Sequence, residues 1–209
     1  MLTGWRGESH FYDPMCGSGT LAIEANMIAR RMPPQVLRNE FGFMRWNSFD
    51  KGLWQQVKRN AMEQMTEPTH RIFASDADKF QMRTAAENIE NAGFEDDIEL
   101  TERDFMELKP ISDTGIIVMN PPYGERMDEA NIIPMYKAIG DHLKHACSGH
   151  SAWIISSDEE ALKRVGLKPS RKIALINGTL PCKFYRFDMF AGKRNERHNK
   201  TTDTPTETE

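Results

Sequence analysis

Cysteine is scarce in this chain of 209 residues. Cys16, Cys147 and Cys182 stand far apart, with no C-x-x-C pair and no histidine cluster at metal-ligand spacing. That argues against a disulfide framework and against a zinc site, and no metal is expected. Long apolar runs are also missing: nothing approaches the roughly 20 residues needed to cross a bilayer. Met1 to His10 lacks the basic and then apolar pattern of an export signal, so the expected compartment is the cytoplasm. The third lack is positive charge. A formal net charge of -4 excludes a domain whose whole surface grips phosphates, so contacts with any nucleic acid must be local or supplied elsewhere.

What is present is an alternation of short apolar runs with helical patterns, the signature of a parallel sheet with crossover helices. The run His10 to Tyr12 breaks at Asp13 and a glycine turn, after which Leu21, Ala25, Ile28 and Met32 share a helical face until Pro33 and Pro34. More than thirty residues separate that helix from the next strand, too many for a loop, so 33–67 reads as a helical insertion. In it Ser48 or Asp50 can cap a helix with Leu53, Val57, Ala61 and Met65 on one face. Before that helix lie Phe41, Phe43, Trp46 and Phe49, for which core packing is the expected role ahead of base stacking.

Further strands are read at Arg71 to Ser75, Ile98 to Thr101, Gly115 to Met119 and Ala152 to Ser156. Between them fall helices marked by Met82, Ala85, Ala86 and Ile89, ending at Gly93, and by Tyr136, Ile139, Leu143 and Ala146, with a shorter one from Asp158 to Val165. The end changes character: Lys172 to Ile176 and Leu180 to Phe190 flank Asn177-Gly178, a hairpin dipeptide. The expectation is one domain over 1–192 and a structureless tail over 193–209.

Three groups of residues carry chemistry. Asp13-Pro14-Met15-Cys16-Gly17-Ser18-Gly19-Thr20 sits where strand gives way to helix, at the sheet edge where open α/β folds bind ligands. Gly17 and Gly19 let the backbone turn tightly and approach a cofactor, and the Asp13 carboxylate can accept from an ammonium group. Asp76 ends the second strand, a place from which a carboxylate can hold both hydroxyls of a ribose. Asp104, just past the third, can accept from an adenine amino group with Phe105 against the ring. Asn120-Pro121-Pro122-Tyr123 ends the fourth. The Asn120 amide oxygen and the Pro121 carbonyl can take both hydrogens of an aromatic amine and free its lone pair, the two prolines stiffen that carbonyl, and Tyr123 can stack on a base turned out of its helix.

In that order D-P-M-C-G-S-G-T-L-A-I-E-A, S-D-A-D, R-D-F and N-P-P-Y-G-E-R resemble the class I amino-methyltransferases, most closely the bacterial large-subunit ribosomal RNA guanine-N2 methyltransferases, whose members are often labelled adenine-specific DNA methylases. The likeness runs from Trp5 to about Gly192 and includes the N-G hairpin and the inserted F-G-F-x-x-W. It implies a Rossmann-like α/β fold with a mostly parallel seven-stranded sheet, a C-terminal antiparallel hairpin and helices on both faces. It also implies S-adenosylmethionine as cofactor and ribosomal RNA as partner. Asp13, Pro14, Cys16, Gly17 and Gly19 are expected at the methionine end of the cofactor, Asp76 at its ribose, Asp104 and Phe105 at its adenine. Asn120, also counted with the cofactor residues, is expected with Pro121, Pro122 and Tyr123 at the target base.

Such proteins resemble longer chains with an N-terminal RNA-binding domain of the THUMP kind, so this chain is expected to be the catalytic domain without it. Adenine N6, or a protein glutamine amide, offers the same exocyclic nitrogen, and those substrates stay open here, as does a cofactor-binding module without activity. An NAD-dependent reading is disfavoured, because the loop lacks the full G-x-G-x-x-G spacing.

Overall fold

The computed structural model describes residues 2–36, 38–122 and 129–190. The chain separates into two compact units, Met1–Glu107 and Leu108–Glu209. In the first, strands β1 (His10–Asp13), β2 (Ile72–Asp76) and β3 (Ile98–Glu102) are parallel, with Phe11 opposite Ile72 and Ile72 opposite Ile98, so β2 is central. Helix α1 (Thr20–Ala29) follows β1, α2 (Lys51–Glu63) lies in the insertion, and α3 (Lys79–Ala92) links β2 to β3.

The expected start of the first helix holds, but its face does not. The residues it buries are Ala22, Ala25, Asn26 and Ala29, while Leu21, Ile28 and Met32 are only partly covered. Small side chains win because backbones press close: a methyl group on Gly7 would lie 3.1 Å from the Ala29 Cα, and one on Gly19 would lie 3.4 Å from the Ala85 Cβ. The helix also stops four residues before Pro33, with Arg31 in the left-handed region. Asn26 and Arg30 on α1 both donate to Asp97 (2.7 and 2.6 Å), fastening the helix to the turn before β3.

The insertion departs further from expectation. Asp50 caps α2 by accepting from the Leu53 amide, yet no residue of α2 is buried, and Met65 falls beyond its end. Phe41, Phe43 and Phe49 are half-covered and Trp46 is exposed, so the expected core packing is reduced to a surface cluster.

The second unit has β4 (Gly115–Met119) parallel to β5 (Ser151–Ser156), then β7 (Leu180–Asp188) antiparallel to β5, and β6 (Arg171–Asn177) at the edge against β7. Helix α4 (Glu129–Ala146) buries Tyr136, Ile139 and Leu143 completely, and α5 (Glu159–Arg164) is capped by Asp158. Ile117 and Met119 on β4 and Ala152, Trp153 and Ile154 on β5 are fully buried, as strands covered on both faces require. The hairpin turn is shifted by one residue from the expected Asn-Gly pair. Asn177 pairs with Leu180, so Gly178 and Thr179 are central and only Gly178 has positive φ (63°), the φ pattern of a Gly-first turn. Tyr123 and 193–209 lie outside the described residues.

Candidate active site

In the first unit the Gly17–Gly19 loop is stapled to the end of β2. The Cys16 amide donates to the Ser75 carbonyl (2.9 Å) and the Gly17 amide to Asp76 Oδ2 (3.0 Å), while Gly19 closes the turn on the Cys16 carbonyl (2.8 Å). Gly17 and Gly19 have φ of 52° and 82°, conformations that a side chain would strain. The other Asp76 oxygen accepts from the Asp78 amide (3.0 Å), and the Asp76 carbonyl receives the Arg103 amide (3.0 Å). Asp76 thus fixes the ends of all three strands' loops, and each carboxylate oxygen retains a lone pair for a further donor.

Asp13 is wholly buried, and neither of its carboxyl oxygens has a hydrogen-bond partner. Burial first, and the Asp76 charge second, raise its pKa to about 8, opposed by the nearby Met15 and Ala22 amides. A protein interior seldom tolerates such a group, so Asp13 is an open polar valence at the carboxyl end of β1. The Cys16 thiol, raised to about 12 by burial and then by Asp13 and Asp76, is no nucleophile. Pro14 is buried beside it.

Asp104 has a local task the sequence did not suggest: its Oδ1 accepts the Met106 amide (2.7 Å) and starts a 3-10 turn, in which Phe105 is buried. Two further residues, given no role of their own by the motifs, brace this region. Asp78 caps α3 through Phe80 and Gln81, a signal readable from S-D-A-D before a helix, and Asn88 Nδ2 donates to the Ser18 carbonyl (2.9 Å) from an exposed helix face that carries no motif.

In the second unit, β4 runs into Asn120, whose Oδ1 is buried with no hydrogen-bond partner among the described residues, followed by a buried Pro121 and a half-buried Pro122. Tyr123, Glu125 and Arg126 lie outside the described residues. Among the described residues no cluster of metal ligands occurs, and no helix is long and apolar enough to cross a membrane. The structure therefore brings Asp13, Cys16, Gly17, Gly19 and Asp76 together directly and puts Asn120 and Pro121 at one strand end.

Residues 1–186 match the family described as RMKL-like, methyltransferase domain. The ribosomal RNA large subunit methyltransferase K/L of Vibrio parahaemolyticus is 36% identical over 98% of the chain, and the chain spans 30% of that protein's length. Among solved structures, SMU.472 in its complex with S-adenosylhomocysteine is 31% identical with a TM-score of 0.84, over 92% of this chain and 51% of that one. A predicted N6-adenine-specific DNA methylase from Listeria monocytogenes is 29% identical with a TM-score of 0.78, over 90% and 48%. The expected class I methyltransferase fold is borne out: seven strands, mostly parallel, ending in an antiparallel hairpin.

Proposed function

The chain belongs to the RMKL-like methyltransferase domain family, and from that premise we propose that it catalyses S-adenosylmethionine-dependent methylation of an exocyclic amino group in nucleic acid, guanine N2 of large-subunit ribosomal RNA, in the cytoplasm. The observation that carries this reading is the Asn120 amide oxygen, buried at the end of β4 without a partner among the described residues and followed by two prolines. An acceptor kept dry and unpaired is preorganised for a donor that arrives with the substrate. The amine of an aromatic base shares its lone pair with the ring. When the Asn120 oxygen and the Pro121 carbonyl accept its two N–H bonds, nitrogen is drawn toward a pyramidal shape and the lone pair is released for attack. Pro122 restricts the Pro121 carbonyl, so this geometry costs little to hold.

The residues of the first unit fit the proposed cofactor. Asp13 offers two unpaired oxygens to an ammonium group, Gly17 and Gly19 leave the loop backbone bare, and Asp76 keeps lone pairs for ribose hydroxyls. When bound, S-adenosylmethionine supplies an electrophilic methyl group on a sulfonium. Asp104 and Phe105 are assigned to the adenine end, Pro14 and Cys16 to the loop wall, and Tyr123 to the base.

The test is to incubate the chain with S-adenosylmethionine and bare 23S ribosomal RNA, digest the RNA, and identify methylated nucleosides by mass spectrometry. N2-methylguanosine is expected. N6-methyladenosine in its place would transfer the reading to adenine, the substrate named for the Listeria relative, and methyl label found only in protein would sink the nucleic-acid assignment.

A further inference from the structure

The insertion between α1 and β2 has an apolar face that nothing among the described residues covers. Leu53 and Val57 on α2 are 59% and 49% exposed, and Met62 is 46% exposed. Beside them is an aromatic cluster built around Phe43. Its ring lies 5.3 Å from Phe41 in a stacked arrangement, 5.0 Å from Trp54 and 5.9 Å from Phe49, and Trp46 packs against its edge at 6.4 Å. Trp46 is itself 69% exposed, so one flank of its indole is held by Phe43 and the rest faces water. A cavity of about 250 Å³ adjoins the cluster, with Pro34, Phe41, Trp54 and Val57 and the cations Arg38 and Lys58 among its lining. That is smaller than the roughly 300–1,000 Å³ of small-molecule sites and suits one planar ring.

Charge names the occupant. The chain as a whole is acidic, yet residues 33–67 hold five Lys and Arg (Arg38, Arg45, Lys51, Lys58, Arg59) against four acidic residues (Glu40, Asp50, Glu63, Glu67), two of which are engaged elsewhere. Arg30 is bound to Asp97 and Glu67, and Asp50 is committed to capping α2. Arg45, Lys51, Lys58 and Arg59 make no ion pair among the described residues. The Arg38 guanidinium lies 5.2 Å from the Phe41 ring centroid, which tethers a cation next to the cavity. An exposed indole held by half-covered rings, with unpaired cations on the same segment, supplies the parts of a single-strand stacking platform: rings take the base faces and cations follow the backbone. An uncharged apolar partner would leave those cations desolvated without a counterion.

The geometry points to 33–67 as a docking surface for unpaired RNA, with Trp46 as its stacking residue and Arg45, Lys58 and Arg59 as phosphate contacts. The inference rests on the reading of RNA as substrate and deepens it by giving the acidic chain a local, cationic place to hold that RNA.

The experiment uses fluorescence anisotropy of a fluorescein-labelled, mixed-sequence 12-nucleotide single-stranded RNA with the wild-type chain, Trp46→Ala and the double variant Lys58→Gln/Arg59→Gln. S-adenosylmethionine calorimetry and a melting curve accompany each. Trp46→Ala is expected to bind the RNA at least about fivefold more weakly while melting and cofactor affinity hold. The double variant is expected to flatten the plot of log affinity against log salt by about 1.4, at roughly 0.7 per contact on a single strand. RNA affinity unchanged in both, or no RNA binding by the wild type, overturns the inference. So does concentration-dependent self-association that Trp46→Ala abolishes, since a second copy would then cover the face. Failure of the enzymatic reading looks different: RNA binding that depends on Trp46 with no heat from S-adenosylmethionine.

Discussion

Replacing Asp13 by asparagine is expected to make the protein more stable and its cofactor site worse. The carboxyl is wholly buried, with no hydrogen bond to lose, and its pKa stands at about 8 against an ordinary 3.8. Between about pH 4 and pH 8 the folded chain therefore keeps a proton that the unfolded chain has released. With more protons bound in the folded state, stability falls as pH rises through that window. At about 1.4 kcal/mol per pH unit, the loss reaches about 4 kcal/mol by pH 7, a large share of the roughly 5–15 kcal/mol that holds a domain folded. Asparagine cannot ionise and escapes the loss. Urea unfolding of both proteins from pH 4 to pH 8 should give coincident stabilities at pH 4 and a gap that widens in favour of Asp13→Asn above it. Calorimetry should show S-adenosylmethionine bound at least tenfold more weakly by the variant, because a charge-assisted hydrogen bond becomes a neutral one. A variant less stable than wild type at pH 7, or a gap that ignores pH, would mean that Asp13 is a structural carboxylate.

Two further substitutions test the scaffold. Asp97→Ala removes the acceptor shared by Asn26 and Arg30 and should cost about 2–3 kcal/mol in denaturant unfolding at pH 7. Burial opposes the Asp97 charge, but the Arg30 and Asn26 hydrogen bonds prevail and hold its pKa below the ordinary value, so this contribution should fade as acid protonates it. Gly140→Ala would put a methyl group 1.7 Å from the Val165 carbonyl oxygen where α4 meets α5, a clash with backbone that should destabilise by about 3 kcal/mol or more and show as a lower melting temperature.

The sequence was most legible where one residue type does one job. Gly115 to Met119 is nearly all apolar because a strand covered on both faces needs nothing else, and its bounds were read without error. Gly93 ended α3 because the left-handed cap there (φ 69°) excludes most side chains. The buried face of α1 departs from its pattern of large apolar residues because close backbone approach selects alanines. The insertion departs for a related reason: a helical period shows that a face exists, not whether anything covers it. At the site, the glycine loop, Asp76 and Asn120 stand out by their position at strand ends. Asp104 as a turn cap and Asn88 as a loop tether were invisible, since an exposed Asp or Asn has many local uses and spacing does not choose among them.

The most direct test of the central claim is single-turnover transfer of labelled methyl from S-adenosylmethionine to bare 23S ribosomal RNA, run side by side with wild type and Asn120→Ala. Label is expected on guanine N2 with the wild type, and a rate at least about a hundredfold lower with Asn120→Ala, from loss of one preorganised acceptor, while both bind the cofactor. Equal rates from the two proteins, or no transfer by a wild-type chain that binds the cofactor, would contradict that claim.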